Sequence, residues 1–315
     1  MTQFKAPIPV DHHLHTNVTI DSDSTIDDHV KRAKRIGLST ICITNHISFM
    51  DPGYWISQSE LRKLKEAADI ETAKGDVEVL VGLEADYFED RAGFIRRQLE
   101  EYDREIDGKL SIVLGSIHWI PLNPSSNDPV ERGQEILFNG DYHFMRYLAD
   151  TPPQDIIDRY FRKQIAMIKN KRYDGSPLVD VLSHPDVFTK NFVKYYGKGV
   201  VEPEQYKDHI EEVCEMIVER GIGMEVNMGC VRRDLEDVQP SELFLKTYMK
   251  YCKAMGVRPT ITVGSDIHNK RDFTEEIDKA MYEKVMQRLS ACGVEEVAVF
   301  RNREPEYIEV SGQGK

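Results

Sequence analysis

The 315-residue chain reads as an α/β protein with parallel strands, arranged either in a barrel or in a doubly wound sheet. Two observations predict this class. Short runs rich in Val, Ile and Leu recur along the chain and are almost continuously apolar, as strands buried on both faces are. Between them lie segments with apolar residues at helical spacing, opening at Ser or Thr and closing on glycine. A third observation concerns chemistry: nearly every run ends in an ionisable residue.

The first run is IPVDHH, beginning at Ile8, and TICITNH follows at 40–46. VEVLVGLEA occupies 77–85 and LSIVLGSIHW 110–119. PLVDVLSH at 177–184, GIGMEVN at 221–227 and PTITVGSDIH at 259–268 complete the series. A closing EEVAVF at 295–300 is a further short strand or an edge. TIDDHVKRAKRIG predicts a helix with Ser24 or Thr25 as N-cap and Gly37 as its stop. SQSELRKLKEAADIETAKG and PEQYKDHIEEVCEMIVERG repeat that pattern. There is no internal repeat. PLNPSSNDP at 121–129 predicts a long surface loop, so the whole chain, 1–315, is expected to be a single domain with a loop-rich insertion at about 119–150.

Bulk properties remove several function classes. A net charge of −13 argues against a surface that neutralises nucleic-acid phosphates, and no basic run or interleaved aromatic-basic patch is present. No apolar run approaches the roughly 20 residues that span a bilayer, and MTQFKAPIPVDHH lacks the apolar segment of a secretory signal. The five cysteines, Cys42, Cys214, Cys230, Cys252 and Cys292, form no CxxC pair, and their odd number argues against a disulfide framework. The expected setting is therefore the cytoplasm, with no membrane and no nucleic-acid partner.

The ionisable residues carry the functional reading. His13, His15, His46, Glu84, His118, His184, Asn227, Asp266 and His268 all fall at or just past strand ends, and six of the ten histidines are among them. In a parallel barrel those ends converge on one rim, where barrel enzymes hold their chemistry. His13 and His15 stand two apart on a strand, hence on one face, and Asp266 and His268 repeat the spacing in GSDIH. A lone strand-end histidine is more often structural, but this set, with Asp21 and without Asn227, offers nine ligands. That is enough for two or three divalent ions such as Zn²⁺, Mn²⁺ or Fe²⁺. Alternation turns His12 away from His13 and His15, so it is expected to be structural. His29 and His209 are expected on helix surfaces, and His143 at the surface or facing substrate.

In order along the chain, HLHT, Asp21, TNH, GLEAD, GSIH, SHPD, EVN and GSDIH resemble the successive motifs of the PHP (polymerase and histidinol phosphatase) family, and within it those of histidinol-phosphate phosphatases. The resemblance implies a distorted (β/α)7 TIM-like barrel, a trinuclear metal centre and phosphomonoester hydrolysis. Carried over by position, His13, His15, Glu84 and Asp266 hold one ion. Glu84 bridges to a second held by His118 and His184, and Asp21, or Asp23 beside it, joins His46 and His268 on the third. Glu84, Asp266 and His268 are thereby the expected catalytic residues. Arg232 or Arg233 is expected to grip phosphate oxygens through its planar fork, and Asn227 to donate to substrate or to tie down its loop.

A phosphate monoester dianion repels nucleophiles. Cations that lower the pKa of bound water supply hydroxide near neutral pH and neutralise charge on both sides of the reaction. The expected reaction is hydrolysis of L-histidinol phosphate in histidine biosynthesis, with a sugar or nucleotide phosphate as the alternative small-molecule substrate. Three departures from the family pattern bear on the organic part of the substrate: Asn45 in TNH, the segment Met228-Gly229-Cys230-Val231, and DVQPS at 237–241. Asp86 or Asp51 is the expected partner for a substrate ammonium group.

Overall fold

The computed structural model describes residues 4–48, 52–106, 108, 110–122, 135–137, 142–231 and 237–310. Strand β1 (Val10–Leu14) pairs in parallel with β2 (Thr40–Ile43), and β2 with β4 (Glu78–Val81). Past β2 the chain steps through Thr44 and Asn45 into β3 (His46–Ile47), and past β4 through Gly82 into β5 (Leu83–Asp86). Two of the sequence runs are thus strands broken once in the middle. At Gly82 the break demands glycine, because a Cβ there would lie 2.5 Å from the Ile112 carbonyl oxygen.

From β5 the parallel order continues to β6 (Val113–Ser116), β9 (Val181–Leu182), β10 (Gly223–Asn227) and β11 (Ile261–Gly264). The ring closes where the last motif meets the first. Leu14 bridges Ile267 in parallel, Asp266 N donates to His13 O at 2.8 Å, and His15 N donates to Ile267 O at 3.1 Å. Counting each broken strand once, seven parallel strands form the expected distorted barrel.

Helices pack outside. α1 (Ile26–Ile36) starts on a reciprocal cap between Thr25 and Asp28 and ends at Gly37, whose φ of 77° suits only a residue without Cβ. α2 (Gln58–Ala73) opens on the same device between Ser57 and Glu60. α3 (Ala92–Glu105), α4 (Tyr142–Asp150), α5 (Pro153–Lys169), α6 (Phe188–Tyr196), α7 (Lys207–Arg220), α8 (Glu242–Met255) and α9 (Glu275–Ala291) follow. None among the described residues is long and apolar enough to cross a membrane. Between barrel and helices, buried Arg32 ties β1 to α9 by donating to Asp11 at 2.9 Å and Asp278 at 2.8 Å.

Two hairpins decorate the ring. β7 (Trp119–Pro121) and β8 (Glu135–Leu137) pair antiparallel within the expected insertion, whose loop PLNPSSNDP lies largely outside the described residues. The closing run EEVAVF is β12 (Glu296–Arg301), paired antiparallel with β13 (Glu304–Glu309). This second hairpin reaches the N-terminal ends of the barrel strands. There Ala298 and Phe300 pack on Cys42, Ile112, Leu114 and Val181, and Arg303 N donates to Ser111 O at 3.0 Å.

Candidate metal centre

The C-terminal ends of six of the seven strands bring the nine candidate ligands together: Asp21, His46, His118, His184, Asp266 and His268 line a cavity of about 700 Å³, and His13, His15 and Glu84 lie buried within the same cluster. They fall into three groups. In the first, His13 Nε2 lies 3.1 Å and His15 Nε2 3.5 Å from Glu84 Oε2, and Asp266 Oδ1 is 3.8 Å and 3.4 Å from the same two nitrogens. In the second, Glu84 Oε1 faces His184 Nε2 at 2.8 Å and His118 Nε2 at 3.5 Å. In the third, Asp21 Oδ2 faces His268 Nε2 at 2.9 Å and His46 Nε2 at 3.2 Å, and those two nitrogens are 3.4 Å apart. Two ligand atoms bonded to one ion at about 2.1 Å stand about 3.0–3.4 Å apart at octahedral or tetrahedral angles, so the spacings suit shared cations. Glu84 belongs to two groups through its two oxygens, and Asp21, not Asp23, joins the third. Asp23 instead accepts from Lys270 N at 2.8 Å.

Buried lone pairs support the same fit. His13 Nε2, His15 Nε2, Glu84 Oε2 and Asp21 Oδ1 are buried with no hydrogen-bond partner among the described residues. Buried polar atoms are normally satisfied, and leaving several acceptors pointed at one another is costly unless a cation or proton lies between them. Ionisation follows. Burial disfavours a charged His13, yet Glu225 and Glu84 outweigh it and hold the imidazole well above its usual range. His46 moves up likewise, burial being overcome by Glu84 and Asp21. His15 goes the other way, held well below by burial and by His268 and His46, on whose rings it stacks at 4.0 and 4.3 Å. Glu84 stays ionised despite burial because His13, His46 and His118 surround it. In the metal-free chain, protons thus stand where cations would.

Local backbone places these groups. His184 and Asp266 have φ of 24° and 53°, left-handed values that non-glycine residues seldom adopt. Both are ligand candidates in the turns that end their strands, where local strain is characteristic of functional sites. The rings are aimed by partners behind them. His13 Nδ1–H donates to Glu225 at 2.7 Å, His118 Nδ1–H to Asp86 at 2.7 Å, and His268 Nδ1–H to the Asp266 carbonyl at 2.9 Å. Each leaves Nε2 with a lone pair toward its group. Ser116 Oγ adds a bond of 2.5 Å to Glu84 Oε1.

Other expectations resolve differently. Arg232, Arg233 and Asp51 lie outside the described residues, as does the side chain of His143. Asn227 ties down its loop, accepting from Gly229 N at 2.8 Å and donating to Glu225 at 3.2 Å while fully buried. His12 stays apart from the cluster, its Nε2 accepting from Phe300 N at 3.2 Å. His29 is not on a helix surface. It is 1 % exposed and donates to the His15 carbonyl at 2.8 Å, bracing the HLHT segment from behind. His209 sits half-buried, stacked on Phe161 and paired with Asp158 at 2.9 Å.

Two of the three sequence departures turn out to be internal braces. Asn45 locks the strand break to HLHT by accepting from Thr16 N at 2.7 Å and donating to Thr16 Oγ1 at 2.9 Å. Gln239 pairs its backbone with Asn227 and donates to the Asp186 carbonyl at 3.0 Å. Glu225, which sequence reasoning passed over, is the main addition. Its only signal was an acid in an otherwise apolar buried strand. The cavity wall also includes Tyr54, Asp86, Trp119 and Leu137, with Lys190, Asn191, Val193 and Lys194 from α6.

Known proteins resemble the chain over most of its length. A family model for the PHP domain matches residues 11–229. A curated relative from Clostridium acetobutylicum, named probable histidinol-phosphatase, is 27% identical over 265 residues, covering 82% of this chain and 86% of its own. The histidinol-phosphatase of Lactococcus lactis subsp. lactis is 21% identical over 295 residues, covering 92% and 94%. Among solved structures, the histidinol phosphate phosphatase of Lactococcus lactis subsp. lactis, complexed with zinc, L-histidinol and phosphate, superposes with a TM-score of 0.69 at 19% identity, covering 95% of this chain and 98% of that one. On the extent of the family match, this chain belongs to the PHP domain family.

Proposed function

We propose that the protein is a metal-dependent phosphomonoesterase that hydrolyses L-histidinol phosphate to L-histidinol and phosphate. The observation that carries this is the convergence of nine ligand side chains, several with orphaned lone pairs, in one cluster whose outer members line a cavity. In this reading His13, His15, Glu84 and Asp266 hold one ion, Glu84, His118 and His184 a second, and Asp21, His46 and His268 a third. Bound divalent cations supply the positive charge that offsets the phosphate dianion and lowers the pKa of water.

The chain's own residues then do three things. Glu84 places its two oxygens in two groups and so fixes their separation. Tyr54, edge-on to His46 at 5.5 Å, and Trp119, directly after His118, give the cavity an aromatic flank suited to an imidazole ring. Asp86, at the cavity wall, is turned to His118, and its charge there favours a substrate ammonium group. The names of the relatives in Clostridium acetobutylicum and Lactococcus lactis support the choice of substrate.

A second reading, the same chemistry on a sugar or nucleotide phosphate, is favoured by one feature. Lys190 and Lys194 place positive charge on the wall, which disfavours the ammonium group of histidinol phosphate and is neutral toward a sugar or nucleoside. Phosphate release by protein reconstituted with Zn²⁺, Mn²⁺ or Fe²⁺ separates the two. The expected kcat/KM for histidinol phosphate exceeds that for sugar and nucleotide phosphates by about 100-fold. Equal or lower values for histidinol phosphate would overturn the first reading in favour of the second.

A further inference from the structure

We propose that Glu225 is the positioning residue of the metal centre, one buried carboxylate that sets the tautomer of His13 and at the same time fixes the backbone of His184. This rests on the metal centre proposed above and not on the identity of the phosphate ester. Glu225 lies on β10, is 1 % exposed, and is not among the nine ligands. Its Oε1 accepts from His13 Nδ1 at 2.7 Å. Its Oε2 accepts from Ser183 Oγ at 2.6 Å, from the backbone N–H of His184 at 2.9 Å and from Asn227 Nδ2 at 3.2 Å. An ionised carboxylate is purely an acceptor, so all four partners must be donors. His13 therefore keeps a proton on Nδ1, which leaves Nε2 as the atom that faces Glu84 and Asp266 and that a cation would take.

The second role is mechanical. His184 sits at φ 24° in the turn after β9, and the bond from its N–H to Glu225 holds that uncommon conformation. Glu225 thereby links ligands of two different groups that reach the rim on β1 and after β9. The chain also leaves room for it: a Cβ at Gly264 would lie 2.3 Å from Glu225 Oε1 and 2.3 Å from the His13 Cβ. The glycine of GSDIH is thus the space in which this pair meets.

An amide at this position cannot serve all four donors. In Glu225→Gln one terminal atom becomes N–H₂ and faces either the His13 Nδ1–H or the Ser183 and His184 donors, which breaks one half of the arrangement. Chelator-competition titration with Zn²⁺ is expected to show affinity at the tightest site weakened by about 10- to 100-fold. The Co²⁺-substituted protein is expected to show altered visible absorption bands. The metal-free variant is expected to keep the circular-dichroism spectrum of the metal-free parent. Ser183→Ala removes one donor and is expected to weaken affinity a few-fold in the same direction, which keeps the test decisive if Glu225→Gln does not fold.

Parent-like affinity and cobalt bands in folded Glu225→Gln, or in Ser183→Ala where the first variant does not fold, would overturn the proposal. So would a variant whose only change is a lower melting temperature without metal, since that is what a plain core residue gives. A parent protein that binds no metal at all would instead remove the centre itself. Parent binding retained with poor histidinol phosphate turnover would bear only on the substrate.

Discussion

At the N-terminal ends of the barrel strands, two acids, Asp180 and Glu78, each meet an arginine. Asp180 accepts from Arg303 at 2.6 and 3.0 Å and from Val113 N at 2.7 Å, and Glu78 accepts from Arg301 at 2.5 and 2.8 Å. Between these pairs the β12–β13 hairpin packs Phe300 and Ala298 into the apolar floor. At the C-terminal ends, Glu84, Asp266 and Asp21 are gathered among imidazoles, and several of the facing atoms have no hydrogen-bond partner among the described residues. Carboxylates at one end of the barrel pair with arginines, and those at the other face imidazoles that are themselves candidate ligands. Stability and chemistry therefore reside at different ends: floor contacts hold the ring shut, and rim contacts are arranged for something to bind.

Changes at the two ends should therefore have separable effects, and the largest belongs to the rim. Asp266→Ala is expected to lower kcat/KM by about 10³-fold or more, because it removes a charge that no neighbour replaces. Steady-state phosphate release checks this, with a melt of the metal-free variant close to the metal-free parent. Next comes removal of metal from the parent. A site saturated about 1,000-fold above its Kd adds about 4 kcal/mol, so chelation is expected to lower the melting temperature by about 8 °C or more. A melt unaffected by chelator would erase the contrast between the ends.

At the floor, Arg303→Met removes the cation that donates to the nearly buried Asp180, leaving Arg172 and Val113 N–H beside it, and is expected to cost about 2 kcal/mol. Its metal affinity in chelator competition should equal the parent's. A matching loss of metal affinity would show that the two ends are mechanically coupled. The smallest effect is expected at the cavity flank, where buried Lys163 donates to the Trp119 carbonyl at 2.8 Å, pairs with Glu135 and lies over the Phe88 ring. Lys163→Met loosens the β7–β8 hairpin that carries Trp119 and Leu137. It is expected to raise KM by about threefold to tenfold with metal content unchanged.

The rim was far more legible in the sequence than the floor. Strand ends announce themselves because an apolar run stops at a residue type that has no reason to be there, as in GSIH and GSDIH. His46 alone would have meant little, and its meaning came from the six other runs that end alike. The floor depends on pairings between Arg303 and Asp180, or Phe300 and His12, that no local pattern encodes. The same limit hid Glu225, because an acid in a buried strand is legible only when its donors from β1 and β9 are seen around it. His29 was misplaced for a related reason: helical spacing gives its element, and only the packing of α1 against HLHT gives its burial. Asn45 and Gln239 looked like substrate-specific changes and proved to be braces, since sequence distance from a ligand does not tell which way a side chain turns.

The seam between β1 and the last motif has a consequence for how the protein comes into being. His13 and His15 are made about 250 residues before Asp266 and His268, whose arrival brings the backbone bonds that set them beside the first strand. Nascent chains fold from their N-terminus onward, and contacts so distant in sequence form late and slowly. A partly made barrel therefore carries its first two imidazoles without the residues that complete their group. Full occupancy of the centre becomes a marker that the ring has closed, since no ion meets all of its residues until the last motif has joined the first strand.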